Sequence, residues 1–171
     1  TYANFDDIPD SGLINDGKSI SLWFNPQSAI SNGILIGATT TDSNIYITNS
    51  TTISMEERDA SNDTTVSWTV PTIAINKWYH LVIVFNDGTY TLYLNGALIS
   101  TQSEAAFDGI IIDRIGGSSY GGDVHFDGII DEISYWTKEL TLADVQQKSH
   151  DYYLLNLSIY HLYEDCYFSN S

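Results

Sequence analysis

At 171 residues with 43% hydrophobic side chains, the chain has the size of one domain that can bury a core without disulfide or metal staples. Six Lys and Arg against 22 Asp and Glu give a formal charge of -16, a field that repels phosphate backbones and anionic headgroups and excludes nucleic acid as an expected partner. Cys166 is the one cysteine, so no intrachain disulfide can form, and no apolar run approaches the roughly 20 residues that span a bilayer, so membrane insertion is not expected.

Thr1 to Phe5 lack the charged and apolar regions of a signal peptide, and any export signal is expected outside this stretch. In Ser19 to Phe24, Ile20, Leu22 and Phe24 share one face and Ser19, Ser21 and Trp23 the other, the period of a strand that ends at Pro26. Short strands are predicted at Gly33 to Gly37, Asn44 to Thr48 and Thr52 to Glu56, and in Val66 to Val70 the alternation is complete before Pro71. His80 to Phe85, Thr89 to Leu94 and Ala97 to Ser100 form a meander, because Asp87-Gly88 and Asn95-Gly96 supply the positive-φ positions of tight hairpins.

After the apolar run Ile110 to Ile112 comes a glycine-rich loop, Gly116 to Gly122, and then a strand through Ile129 to Trp136. Thr141 to Lys148 read as the only helix, a short one, with Thr141 as N-cap and Asp144 three positions on, as in a capping box. Many short strands without strand-helix alternation predict an all-β protein, a two-sheet antiparallel jelly-roll sandwich with one short helix near 141–148. The sandwich is assigned to residues 1–150, and 151–171 to a tail that closes a sheet or begins a neighbouring repeat.

Four motifs in order carry a family resemblance: Ser19 to Pro26, Trp78 to Val82, Thr91 to Gly96, and Phe126 to Tyr135 followed by Leu140-Thr141. Together they resemble the laminin-G-like branch of the concanavalin A-like lectin/glucanase superfamily, in its pentraxin-like form from bacterial and phage surface proteins. The resemblance implies two packed antiparallel sheets but no single function, since this fold hosts lectins, glycosidases, adhesion modules and structural spacers. Members usually begin with a strand that nothing here precedes Tyr2 to supply, whereas Asn156 to Asp165 look like it. The tail is therefore expected to close the sheet in permuted order, to begin a tandem copy, or to pair with a neighbouring subunit.

Asp131 is the first candidate site residue, because simple alternation places it on one strand face with Ile129, Ile133 and Tyr135, where a carboxylate needs a partner. The resemblance implies that an acid at this position ligates a structural Ca²⁺; the competing reading is a pair with Arg114 or hydrogen bonds from backbone N–H groups. Asp6, Asp7, Asp10, Asp123 and Asp127 are possible co-ligands. For a glycan or host-surface ligand, Tyr120 on the glycine loop offers a stacking ring and Asp123 accepts hydrogen bonds from sugar hydroxyls. Trp68, Trp136 and Tyr93 are alternatives, with core packing as the competing reading, and Trp23 and Trp78 are assigned to the core.

No catalytic residue is assigned. Glycosidases of this superfamily carry alternating acids, Glu-x-Asp-x-Glu, on one strand, and that pattern is missing; Glu57 and Asp59 read as surface charge. His80, His125, His150 and His161 lack zinc-ligand spacing. The expected role is a non-catalytic binding or structural module of a larger surface or virion protein, for carbohydrate binding, adhesion, capsid decoration or a tail fibre. It would sit outside the cell or on the virion among other subunits, with a glycoside hydrolase or lyase as the alternative.

Overall fold

The computed structural model describes residues 3–4, 13–38, 43–58, 63–104, 109–111, 113–118 and 124–151. Two antiparallel sheets face each other. The six-stranded sheet runs in the order β1 (Ala3–Asn4), β12 (Arg114–Ile115), β4 (Gly33–Gly37), β5 (Asn44–Asn49), β6 (Thr52–Arg58) and β7 (Asp63–Thr69). The five-stranded sheet runs β10 (Ala97–Ser103), β9 (Thr89–Leu94), β8 (Tyr79–Asn86), β3 (Lys18–Pro26) and β15 (Gly128–Trp136). Two small ladders complete it: β2 (Leu13–Ile14) with β11 (Ile110–Ile111), and β13 (Gly117–Ser118) with β14 (Val124–His125).

The alternation that predicted the strands also selects the core. Ile20, Leu22 and Phe24 of β3, Leu81, Ile83 and Phe85 of β8, and Leu92 and Leu94 of β9 point inward to meet Ile45, Ile47, Ile53, Met55, Val66 and Trp68 of the other sheet. Each such side chain contributes about 1.5–3 kcal/mol by leaving water. Trp68 is 0% exposed, which corrects its candidacy as a ligand contact: alternation along β7 turns it into the sandwich, where no sugar can reach it.

Both predicted hairpins have positive φ at their two central residues, Asp87 (42°) and Gly88 (66°), then Asn95 (52°) and Gly96 (78°), the type I′ geometry that matches strand twist. Asn95 also fixes the second hairpin against β8, its N–H donating to the His80 carbonyl at 2.8 Å and its Oδ1 accepting from the His80 N–H at 2.8 Å.

A helix, α1, covers residues 142–151. Its start is the reciprocal cap read from the sequence: the Asp144 N–H donates to Thr141 Oγ1 at 3.2 Å, and the Thr141 N–H donates to Asp144 Oδ2 at 2.9 Å. Bonds from Thr141, and then from Lys138, hold the Asp144 carboxyl at about 2, below its ordinary 3.8. The helix packs on the outer face of the five-stranded sheet, where Leu140 and Val145 meet Val82 and Val84, with Tyr93 and Trp136 alongside. Ser19, itself buried, anchors the approach to α1: its hydroxyl donates to the Lys138 carbonyl at 3.0 Å and accepts from the Leu140 N–H at 2.9 Å.

Candidate binding site

β15 departs from simple alternation. Its pairing with β3 runs in register from Gly128↔Pro26 to Asp131↔Trp23, then resumes at Ser134↔Ser21, so a bulge lies between. Glu132 sits in that bulge with φ 49°, a left-handed conformation unusual for a residue with a side chain. The bulge reverses the facing of everything after it. Ile130, Ile133 and Tyr135 pack against the core, whereas Ile129 is 50% exposed and Asp131 is exposed beside it.

The expected apolar-face position of Asp131 is therefore corrected. Its Oδ1 accepts the Glu132 N–H at 2.8 Å, and Arg114 lies in the opposite sheet, so the reading in which Asp131 takes a backbone N–H is the one observed. No cluster of three or more His, Cys, Asp or Glu able to hold a metal occurs among the described residues, and a lone exposed carboxylate does not supply the six to eight oxygens that Ca²⁺ takes. Among the described residues Asp131 therefore has no partner set for calcium, and four of the co-ligands expected with it fall elsewhere. Asp6, Asp7, Asp10, Tyr120 and Asp123 lie outside the described residues, as do 152–171 of the proposed tail.

The same bulge, together with the helix end, builds a depression of about 230 Å³ on the outer face of the five-stranded sheet. β3 contributes Ser21 and Trp23, β8 contributes His80, β15 contributes Glu132 and Ser134, and α1 contributes Lys148 and Asp151. Trp23 is 2% exposed and stacks on His80 with ring centroids 4.9 Å apart, so the two rings form a floor rather than a protruding platform. Trp23 is thus buried as expected, but under the helix-bearing face and not between the sheets.

His80 is 2% exposed, and its Nδ1 is buried without a hydrogen-bond partner among the described residues. Burial, and secondarily the charge of Lys148, lower its pKa from 6.5 to about 4, so the ring is neutral at neutral pH. Lys148 is held over the Trp136 ring, its Nζ 3.7 Å from the centroid, and Trp136 Nε1 donates to Ser21 Oγ at 3.2 Å. Two hydroxyls, one ammonium, one neutral imidazole and two carboxylates converge here: groups that both donate and accept.

A second depression, about 180 Å³, lies at the rim between Ser28 to Ser31 and His125 to Asp127. β13 and β14 pair beside it through Gly117↔His125.

Residues 1–146 match the profile of the concanavalin A-like lectin/glucanases superfamily. The chain belongs to that superfamily. Among solved structures it is similar to the CBM40 domain of a Ruminococcus gnavus IT-sialidase bound to α2,3-sialyllactose, at 20% identity and a TM-score of 0.66, covering 81% of this chain and 84% of that one. It is also similar to the botulinum neurotoxin serotype D binding domain (19% identity, TM-score 0.63, 88% of this chain and 40% of that one). A third likeness is to domain 4 of AbnA, an extracellular arabinanase from Geobacillus stearothermophilus in complex with arabinotriose (21%, 0.59, 80% and 68%). Identities this low establish the shared sandwich and nothing finer, so the function of this superfamily member rests on its own side chains.

Sequence reasoning misses the outer-face depression. His80 carries no metal-ligand spacing, and the one legible hint is Trp23, which shares with Ser19 and Ser21 the strand face away from the core and asks for something to cover it.

Proposed function

We propose that this chain is a non-catalytic carbohydrate-binding module of a larger protein displayed outside the cell or on a virion, where it serves adhesion, decoration or a fibre beside other subunits. The observation that carries the reading is the outer-face depression: a polar recess in a lectin-type sandwich whose hydroxyl, ammonium, imidazole and carboxylate groups match the mixed donors and acceptors of a sugar. The sugar-bound relatives, one with sialyllactose and one with arabinotriose, support a glycan as the ligand class.

The hydrolase alternative has one feature in its favour, since Glu132 and Asp151 both line the depression. Against it, the alternating Glu-x-Asp-x-Glu strand pattern of the superfamily's glycosidases is missing from the sequence. A glycan array with the full chain, followed by incubation of labelled polysaccharides, tests the reading. Retention of glycans without turnover is expected; cleavage would make the chain an enzyme, and no retention at all would leave a structural spacer.

A further inference from the structure

The outer-face depression carries more than a general affinity for sugars. Among the described residues that line it, two carboxylates, Glu132 and Asp151, accompany a single ammonium, that of Lys148, which is already engaged over the Trp136 ring. Around them lies a chain of formal charge -16. An acidic sugar would have to bring its carboxylate against both the local and the global field, whereas hydroxyl groups can donate to the carboxylates and accept from the ammonium. About 230 Å³ is well below the 300–1,000 Å³ typical of drug-sized ligand pockets, so the recess suits a single sugar ring.

Glu132 is the residue that ties this chemistry to the backbone. It adopts φ 49° inside the β15 bulge, and the same bulge turns Ser134 outward into the recess opposite Ser21. A glycine would occupy this conformation without strain, yet a carboxylate stands there. The floor adds an independent pointer to a ligand: His80, 2% exposed, lines the recess and keeps a buried ring nitrogen without a partner among the described residues.

We propose that this recess takes one uncharged sugar residue through its hydroxyl groups, and that Glu132, held out by the β15 bulge, selects against sialic and uronic acids. The proposal rests on the carbohydrate-binding reading and names the sugar class and the selecting residue. It sets this chain apart from the CBM40 relative that was solved with sialyllactose.

The test uses calorimetry and NMR on the full chain with matched probes: galactose against galacturonate, glucose against glucuronate, and lactose against α2,3-sialyllactose. The neutral member of a pair binds more tightly, with little dependence on salt, and moves the Trp23 indole and His80 ring resonances. Glu132→Gln weakens neutral-sugar binding about tenfold, the loss expected for one charge-assisted hydrogen bond, and narrows the gap to the acidic partner. Glu132→Gly weakens it at least as much while raising the melting temperature, a combination that a purely structural role would not give. Thr65→Ala, exposed on the other sheet, serves as the control and binds as the wild type does. Tighter binding of the acidic partner, or neutral binding unaffected by both Glu132 variants, overturns the selectivity while leaving a glycan-binding module elsewhere on the surface. Absence of glycan binding, on the array as well as with these probes, overturns both.

Discussion

Protonating His80 should unload this fold selectively at mildly acidic pH. Its pKa is 6.5 in an unfolded chain and about 4 in the fold, where burial first and Lys148 second oppose the cation. Because the folded value is depressed, the stabilisation that comes from keeping the ring neutral is complete above pH 6.5, shrinks as pH falls, and levels off below about pH 4. Within that window each pH unit is worth about 1.4 kcal/mol. Between pH 7 and pH 5 roughly one and a half units of it are crossed, so about 2 kcal/mol of stability is lost through this one ring. Urea unfolding at the two pH values, on the wild type and on His80→Phe, isolates the effect, since Phe keeps a ring against Trp23 and cannot titrate. Asp144 does not confuse the comparison, because its own linkage lies at lower pH, between its ordinary 3.8 and about 2. The wild type should lose about 2 kcal/mol more than the variant over this interval. Parallel losses, or an NMR titration of His80 with a midpoint near 6.5, would refute the reasoning.

Gly128→Ala should destabilise β15 by about 1–3 kcal/mol, as overpacking does, because a Cβ there would run into the Asn25 carbonyl oxygen and lie 2.5 Å from Phe126 Cε1; thermal melting reads the loss. Thr141→Ala removes the helix cap, costs about 1 kcal/mol, and lets the Asp144 pKa rise from about 2 towards 3.8, a shift that carboxyl-detected NMR follows directly. Asp131→Asn should melt like the wild type both with added calcium and in excess EGTA; a calcium-dependent rise in midpoint lost only in the variant would make this carboxylate a ligand.

Much of the fold was legible because its signals are local. Period-two alternation marked β3, β8 and β9 and chose their inward residues, the Asp87-Gly88 and Asn95-Gly96 pairs demanded positive φ, and Thr141 with Asp144 announced the helix start. The facing of Asp131 was misread for the converse reason. The β15 bulge carries no glycine to betray it, and a shift of one residue sends every later side chain to the other face.

Nearest-neighbour sterics and the burial of alternate side chains are enough to specify the long strands, their tight turns and a sandwich with an acidic exterior, but not the two-residue strands β1, β2, β12, β13 and β14, which are too short to show a period. Only the tertiary structure decided that Trp68 is core, that Trp23 and His80 stack beneath the end of α1, and that Glu132, Ser134, Lys148 and Asp151 share one recess. Those outcomes depend on which strands become neighbours, as β3 does with β8 and β15, and on where α1 docks; no local periodicity encodes which distant surface comes to lie on a strand's outer face.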